Sequence, residues 1–206
     1  MKKIFLCAAI AVFGLTSLNA QNDIMESAKT GSFYIGANIG FSLINDNYYY
    51  DDDYDNDDYG SFNFGFDVAY LFEVIDNLEV GGLVGYTQYI AKGSYWNGDY
   101  DEQFNEFVYV DFEDASFIPI AVSGRYYFGD HRFFGGLDLG VGINVAGDAK
   151  TGFYARPKFG FDLGPVALIA AFQSISGGQD YNNSNNVQVY SLNGFKSFNF
   201  GVEFGF

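Results

Sequence analysis

The segment SFNFGVEFGF, Ser197 to Phe206, decides the fold. Phe198, Phe200, Val202, Phe204 and Phe206 take every second position, with Asn199, Gly201, Glu203 and Gly205 between them. Successive side chains on a strand point to opposite faces, so one face is a ladder of bulky apolar groups. The other face is small or polar and carries a carboxylate. In a water-soluble barrel the bulky face turns inward to make a core. The reading of the whole chain therefore depends on how many such ladders must be housed.

Working back from the C-terminal segment, the same alternation fills most of the chain. It runs over residues 33–43, 62–70, 78–87, 118–128, 133–144, 153–163 and 166–172, so the C-terminal segment is the eighth ladder. Two of these segments are irregular in places. Leu83 interrupts the small face of the third, and Pro157, which cannot donate a ladder hydrogen bond, predicts a local bulge in the sixth. The seventh is the least regular, because Ala167, Ile169 and Ala171 oppose residues that are apolar too.

Parity then separates the charges from the ladders. No bulky ladder position carries a charge, whereas the opposite faces carry Asp67, Glu79, Arg125, Asp138, Arg156, Lys158, Asp162 and Glu203. A small soluble barrel needs the reverse, because its narrow lumen must hold the apolar side chains. Apolar faces turned out and polar faces turned in are the signature of a transmembrane β-barrel, whose closure also removes unpaired edges. The expected fold is all-β: an eight-stranded antiparallel up-and-down transmembrane barrel over residues 32–206. The connections alternate in length, which is the pattern of long external loops and short periplasmic turns. Long stretches at 45–60, 90–116 and 174–190 and a medium one at 145–152 alternate with short turns at 72–77, 129–132 and 164–165. An even strand number predicts that both chain ends are periplasmic.

Composition agrees with this reading. The 206 residues suit one β domain, and 24 Phe and 17 Tyr are more aromatic residues than a soluble core of this size uses. With 26 Gly and 3 Pro the chain favours long strands over disorder. A net charge of −16 excludes nucleic acid as a partner, since no basic stripe is available to neutralise phosphates. Residues 1–20 read as a cleavable signal peptide: Lys2 and Lys3, an apolar run from Ile4 to Leu15, and Leu18-Asn19-Ala20 before the cut. The run is short for a membrane-spanning helix. The single cysteine, Cys7, leaves with the signal on this reading, so no disulfide is expected. Residues 21–31 form a short periplasmic lead-in.

From Ser32 to Phe206 the chain resembles the small eight-stranded outer-membrane barrels, the OmpA/OmpX-like group and its porin-like relatives. The segments IPIAVSGRYYFG and FYARPKFGFDLGPVAL are similar to strand–turn segments of members from Bacteroidetes-type bacteria. Phe206 matches the C-terminal signal read by the barrel-assembly machinery. The resemblance implies the cell outer membrane of a Gram-negative bacterium, with lipid and lipopolysaccharide as surroundings and a monomeric state. The sequence stops at Phe206, so the peptidoglycan-binding domain of larger family members is not expected.

Three candidate sites follow from the residues. The segment NDNYYYDDDYDNDDYG, Asn45 to Gly60, places Asp51, Asp53, Asp55 and Asp57 at alternate positions, hard oxygen ligands suited to a divalent cation such as calcium. The EF-hand template fails: counted from Asp51, Asn56 replaces the glycine and Phe62 the glutamate. The competing reading is a hydrated, self-repelling external loop. The next long loop mixes Tyr95, Trp96, Tyr100, Phe104, Phe107 and Tyr109 with acids, which suits a surface that binds an extracellular ligand or one that only orders the loop. Within it, the alternation in FVYVDF suggests that the fourth strand begins well outside the membrane and forms a protruding sheet. The eight inward charges form the third site, and a lumen of eight strands is just wide enough for side chains to fill. No catalytic residue or cofactor is expected. His131, beside Asp130 and Arg132 in a turn, reads as a solvated histidine in preference to a general base. The expected role is structural, with acidic, aromatic surface loops that bind a surface partner or divalent cations. A narrow pore for small solutes is the alternative, and an outer-membrane enzyme ranks below both.

Overall fold

The computed structural model describes residues 31–43, 60–92, 94–101, 106–129, 132–182 and 188–206, and among them every regular element is a strand. Eight long strands coincide with the ladders read from sequence: β1 (Ser32–Leu43), β2 (Gly60–Ile75), β3 (Leu78–Ile90), β6 (Ala115–Phe128), β7 (Phe133–Ala146), β8 (Gly152–Asp162), β9 (Val166–Ile175) and β12 (Phe195–Gly205). Two hairpins interrupt the series, β4 (Ser94–Asp101) with β5 (Glu106–Asp111), and β10 (Gln179–Asn182) with β11 (Gln188–Leu192).

The eight long strands close into one antiparallel barrel in the order β1-β12-β9-β8-β7-β6-β3-β2. The seam is the pairing of the first and last strands, from Tyr34 opposite Gly205 to Ser42 opposite Ser197. Reciprocal bonds between Phe33 and Phe206 extend it, with N···O distances of 3.2 and 2.9 Å. Every barrel strand has ten to sixteen residues, enough for the roughly 9–11 that a tilted span of a bilayer requires.

Parity determines which side chains face out. On β12, Phe198, Phe200, Val202 and Phe204 are exposed, while Ser197, Asn199 and Glu203 are buried. The same division holds on β1, β6 and β8, where Phe41, Val122 and Phe153 are exposed and Ser42, Ser123 and Tyr154 are buried. Phe66 stacks on Tyr86 at 5.5 Å between ring centroids, and Phe133 lies 4.8 Å from Phe161, so the belt is itself packed into aromatic pairs. Soluble monomers rarely expose apolar patches beyond a few hundred Å². Here the patch runs round the barrel.

Short turns join the strands at one end. Asn77 in the β2–β3 turn, Gly129 after β6 and Gly164 after β8 have positive φ values of 68°, 57° and 108°, the left-handed conformation that Asn and Gly tolerate. At the other end stand the two hairpins and the β7–β8 connection.

Three local expectations are corrected. Pro157 causes no bulge: pairing of β8 with β9 lapses at Arg156 and Pro157, then resumes at Lys158 opposite Ala171 in the same register as Tyr154 opposite Ile175. The proline ring points outward, and its missing N–H costs a ladder bond without shifting the strand. The β3–β6 ladder lapses in the same way beside Pro119, between Val84 opposite Ile120 and Thr87 opposite Phe117. FVYVDF does not begin the fourth barrel strand. Phe107 to Asp111 belong to β5, which pairs with β4 as a separate sheet, and Phe112 to Asp114 break the chain before β6. The 174–190 stretch, read as loop, contains most of the β10–β11 hairpin.

Candidate functional site

Seven of the eight predicted inward charges meet inside the barrel. Arg125 on β6 makes a two-pronged contact with Glu203 on β12 across the lumen, Nη1 to Oε1 at 2.7 Å and Nη2 to Oε2 at 3.1 Å. The register places Glu79 directly beside Arg125 on the neighbouring strand, yet that contact is the looser one, 3.8 Å from Nε to Oε2. Glu79 is engaged elsewhere, accepting the Tyr34 hydroxyl proton at 2.9 Å. The Arg125 guanidinium lies over two rings, 4.1 Å from the Tyr34 centroid and 4.7 Å from that of Phe134. Phe134 reaches this position because its cross-strand neighbour is Gly160, where a β-carbon would lie 2.1 Å from the ring.

A second cluster sits beside the first. Asp138 on β7 is shared: Arg156 Nε donates to its Oδ2 at 2.7 Å and Lys158 Nζ to its Oδ1 at 2.8 Å. Arg156 Nη1 also reaches Asp67 on β2 at 2.8 Å, and Lys158 donates to Ser123 Oγ at 3.2 Å. Glycine makes the room here too, since a β-carbon at Gly36 would lie 2.9 Å from Asp67 Oδ1. Three cations thus meet four carboxylates, with Arg125, Asp138, Arg156 and Lys158 buried. Removing ions from water is costly unless geometry and extra hydrogen bonds offset it, and both clusters supply such bonds. The eighth charge, Asp162, stands apart. It ends β8 and its Oδ1 accepts the Gly164 N–H at 2.6 Å, closing the turn.

Layers of uncharged side chains fill the rest of the lumen. Toward the hairpin end, Gln173 Nε2 donates to Tyr89 Oη at 2.9 Å and to Thr87 Oγ1 at 3.3 Å, and Asn63 donates to Asn199 Oδ1. Above them the rings of Tyr89, Phe117 and Phe195 pack with centroids 5.0–6.1 Å apart. Ala115, Tyr154 and Ile175 belong to the same buried cluster. Toward the turn end, Phe134 packs 5.4 Å from Tyr127. Between these layers lies a cavity of about 20 Å³ lined by Asn38, Asp67, Arg156, Lys158, Asn199 and Glu203, among others. That is room for about one water molecule. Strand parity points to most of these residues. Gln173 lies one position past the end of the seventh ladder at Phe172, where β9 continues and the same parity turns it inward.

At the hairpin end, β11 lies against β4, and Lys150 in the β7–β8 connection forms an exposed ion pair with Asp180 on β10. Ala91 N–H donates to Asp114 Oδ1 at 2.9 Å, tying the two ends of the β4–β5 excursion together. Asp51, Asp53, Asp55, Asp57, His131 and residues 1–30 lie outside the described residues. Among the described residues, no group of three or more His, Cys, Asp or Glu side chains is placed to hold a metal ion.

Several solved structures are similar to the chain. A de novo designed transmembrane β-barrel is 12% identical, with a TM-score of 0.45 over 88% of this chain and 100% of the design. Ail, the attachment invasion locus protein of Yersinia pestis, is 12% identical, with a TM-score of 0.46 over 85% and 99% of the two chains. Neisserial surface protein A is 15% identical, with a TM-score of 0.40 over 85% and 99%. No protein-family model matches the chain, and no curated protein sequence matches it. At these identities and scores the likeness carries no functional argument, and the barrel rests on its own strand pairing.

Proposed function

We propose that the protein is a structural β-barrel of a Gram-negative cell outer membrane whose acidic and aromatic loops present a binding surface to the exterior. The observation that carries this reading is the inversion of the barrel: an apolar belt outside and paired charges within. In water such a belt would be penalised by about 25 cal/mol per Å² of apolar surface, whereas acyl chains remove that cost. Lipid and lipopolysaccharide are then its neighbours and the chain acts as a monomer. Both termini face the periplasm, beside the short turns. Phe206 serves the assembly machinery, and residues 1–20 are removed on export.

A lumen packed with hydrogen-bonded and aromatic side chains around one small cavity supports a scaffold over a diffusion channel. Binding then falls to the loops, with Asp51, Asp53, Asp55 and Asp57 as divalent-cation ligands or as a hydrated acidic surface. The test is attachment of the refolded barrel to candidate cells and a pull-down of surface ligands, each compared with a variant lacking Asp46 to Tyr59. Attachment should be lost in the deletion while the barrel stays folded in lipid. Equal attachment by both forms removes the first loop from the reading. Stepwise conductance of the folded protein in planar bilayers would replace the scaffold with a pore.

A further inference from the structure

Pairing sorts the β4–β5 ribbon into two unlike faces. Directly opposed residues of an antiparallel pair share a face, and so do residues two apart on one strand. Trp96 stands opposite Tyr109 and Tyr100 opposite Phe107, with Ser94 opposite Asp111 at the foot. The register shift between Trp96 and Tyr100 makes four steps on β4 match two on β5, an even difference that keeps both residues on one face. Four aromatic positions are thereby gathered on the same side of the ribbon.

Charge decides which partner suits this face. Residues 94–114 contain seven aromatic residues, seven Asp or Glu and no Lys, Arg or His, so a cation is attracted here and an anion repelled. The register adds a like-charge pair, since Asp101 stands directly opposite Glu106 at the far end of the ribbon. Opposed like charges destabilise a strand pair, and a cation between them reverses the sign. The neighbouring ribbon draws its cation from within the chain, where Lys150 pairs with Asp180 on β10. A hard metal ion takes oxygen ligands and would leave the aromatic face unused. A guanidinium uses both features, because it forks onto carboxylates and lies flat on aromatic rings.

We propose that the β4–β5 ribbon docks an arginine-rich segment of an extracellular polypeptide. Its arginines stack on the face that holds Trp96, Tyr100, Phe107 and Tyr109 and pair with Asp101 and Glu106 at the end of the ribbon. Lysine is the poorer partner, because its ammonium is a strongly hydrated point charge without a plane to stack. The inference rests on the reading that places the hairpin end outside the cell, and it names the partner class for that surface. The site is built by the ribbon alone and needs no residue of the first loop.

Trp96 is the single tryptophan of the chain, so its fluorescence reports on the ribbon. The test titrates the full barrel, refolded in phosphatidylcholine bilayer discs at about 0.15 M salt, with nona-arginine, nona-lysine and nona-glutamate. Nona-arginine should change the Trp96 emission saturably and bind about tenfold more tightly than nona-lysine, while nona-glutamate should have no effect. Arginine binding that leaves the emission unchanged, or equal affinity for the lysine peptide, overturns the proposal. Asp101→Asn with Glu106→Gln, and separately Tyr109→Ser, should each weaken nona-arginine about tenfold in a barrel that still resists detergent unfolding. Undiminished binding by either folded variant is equally fatal. The variant lacking Asp46 to Tyr59 should bind as tightly as the parent, and loss there would assign the peptide to the first loop instead. Calcium that saturates the emission change and displaces the peptide would make the ribbon a metal site. If the peptide fails while cell attachment still depends on residues 46–59, this inference falls and the proposed function stands.

Discussion

The two faces of β12 obey opposite rules although they are built from adjacent residues. Outward, Phe198, Phe200, Val202 and Phe204 have no polar task and need only an apolar medium. Inward, Ser197, Asn199 and Glu203 each require a particular partner contributed by β2, β3 or β6. The outer face tolerates any apolar side chain of suitable size, whereas the inner face tolerates few changes, because each loss strands a partner in the interior. This asymmetry can be tested from both sides.

The largest effect should come from the inner face. Arg125→Ala leaves Glu203 buried without its cation, and breaking a buried pair in this way costs about 3–5 kcal/mol. Equilibrium unfolding in lipid vesicles with urea should show that loss. A change below about 1 kcal/mol would mean that water reaches Glu203 and solvates it. Replacing both partners with apolar residues, Arg125→Met with Glu203→Leu, should recover most of the loss, since no charge is left stranded.

Next comes an attack on the outer face. Phe200→Arg places a charge in the middle of the apolar belt, where about 2–4 kcal/mol is expected in a bilayer. The same unfolding measurement reads it, with Phe200→Leu as a control of much smaller effect. Equal stability of the arginine variant would put Phe200 at the edge of the membrane or outside it. The smallest effect should lie at the hairpin end. Lys150 and Asp180 form an exposed pair, and Lys150→Ala should change stability by no more than about 0.5 kcal/mol. A larger loss would show that this pair anchors the β10–β11 hairpin.

Much of the barrel was legible because a strand has a period of two. Once Phe198 is assigned outward, Asn199 must face inward, and the same logic assigned Asp67, Arg125, Asp138 and Glu203 before any pairing was known. Turns were legible where their chemistry is local, as at Gly129 and Gly164. The two surface hairpins were harder to see. The strand pattern of FVYVDF is visible in the sequence, but not that β5 pairs with β4 as a separate sheet, because pairing partners leave no local mark. Pro157 misled for a related reason. A proline reports a missing donor, but whether the strand bulges or merely skips a bond depends on the neighbour it faces.

The order of residues along the chain was sufficient to determine the strand number, the inward and outward faces and the concentration of charge within, because these follow from side-chain alternation and from where ions can be solvated. Only the closed structure decided that Arg125 takes Glu203 in preference to its register neighbour Glu79, and that Asp138 is shared by Arg156 and Lys158. Those choices depend on distances across a lumen between residues as many as 89 positions apart, such as Asp67 and Arg156, and no local pattern encodes them.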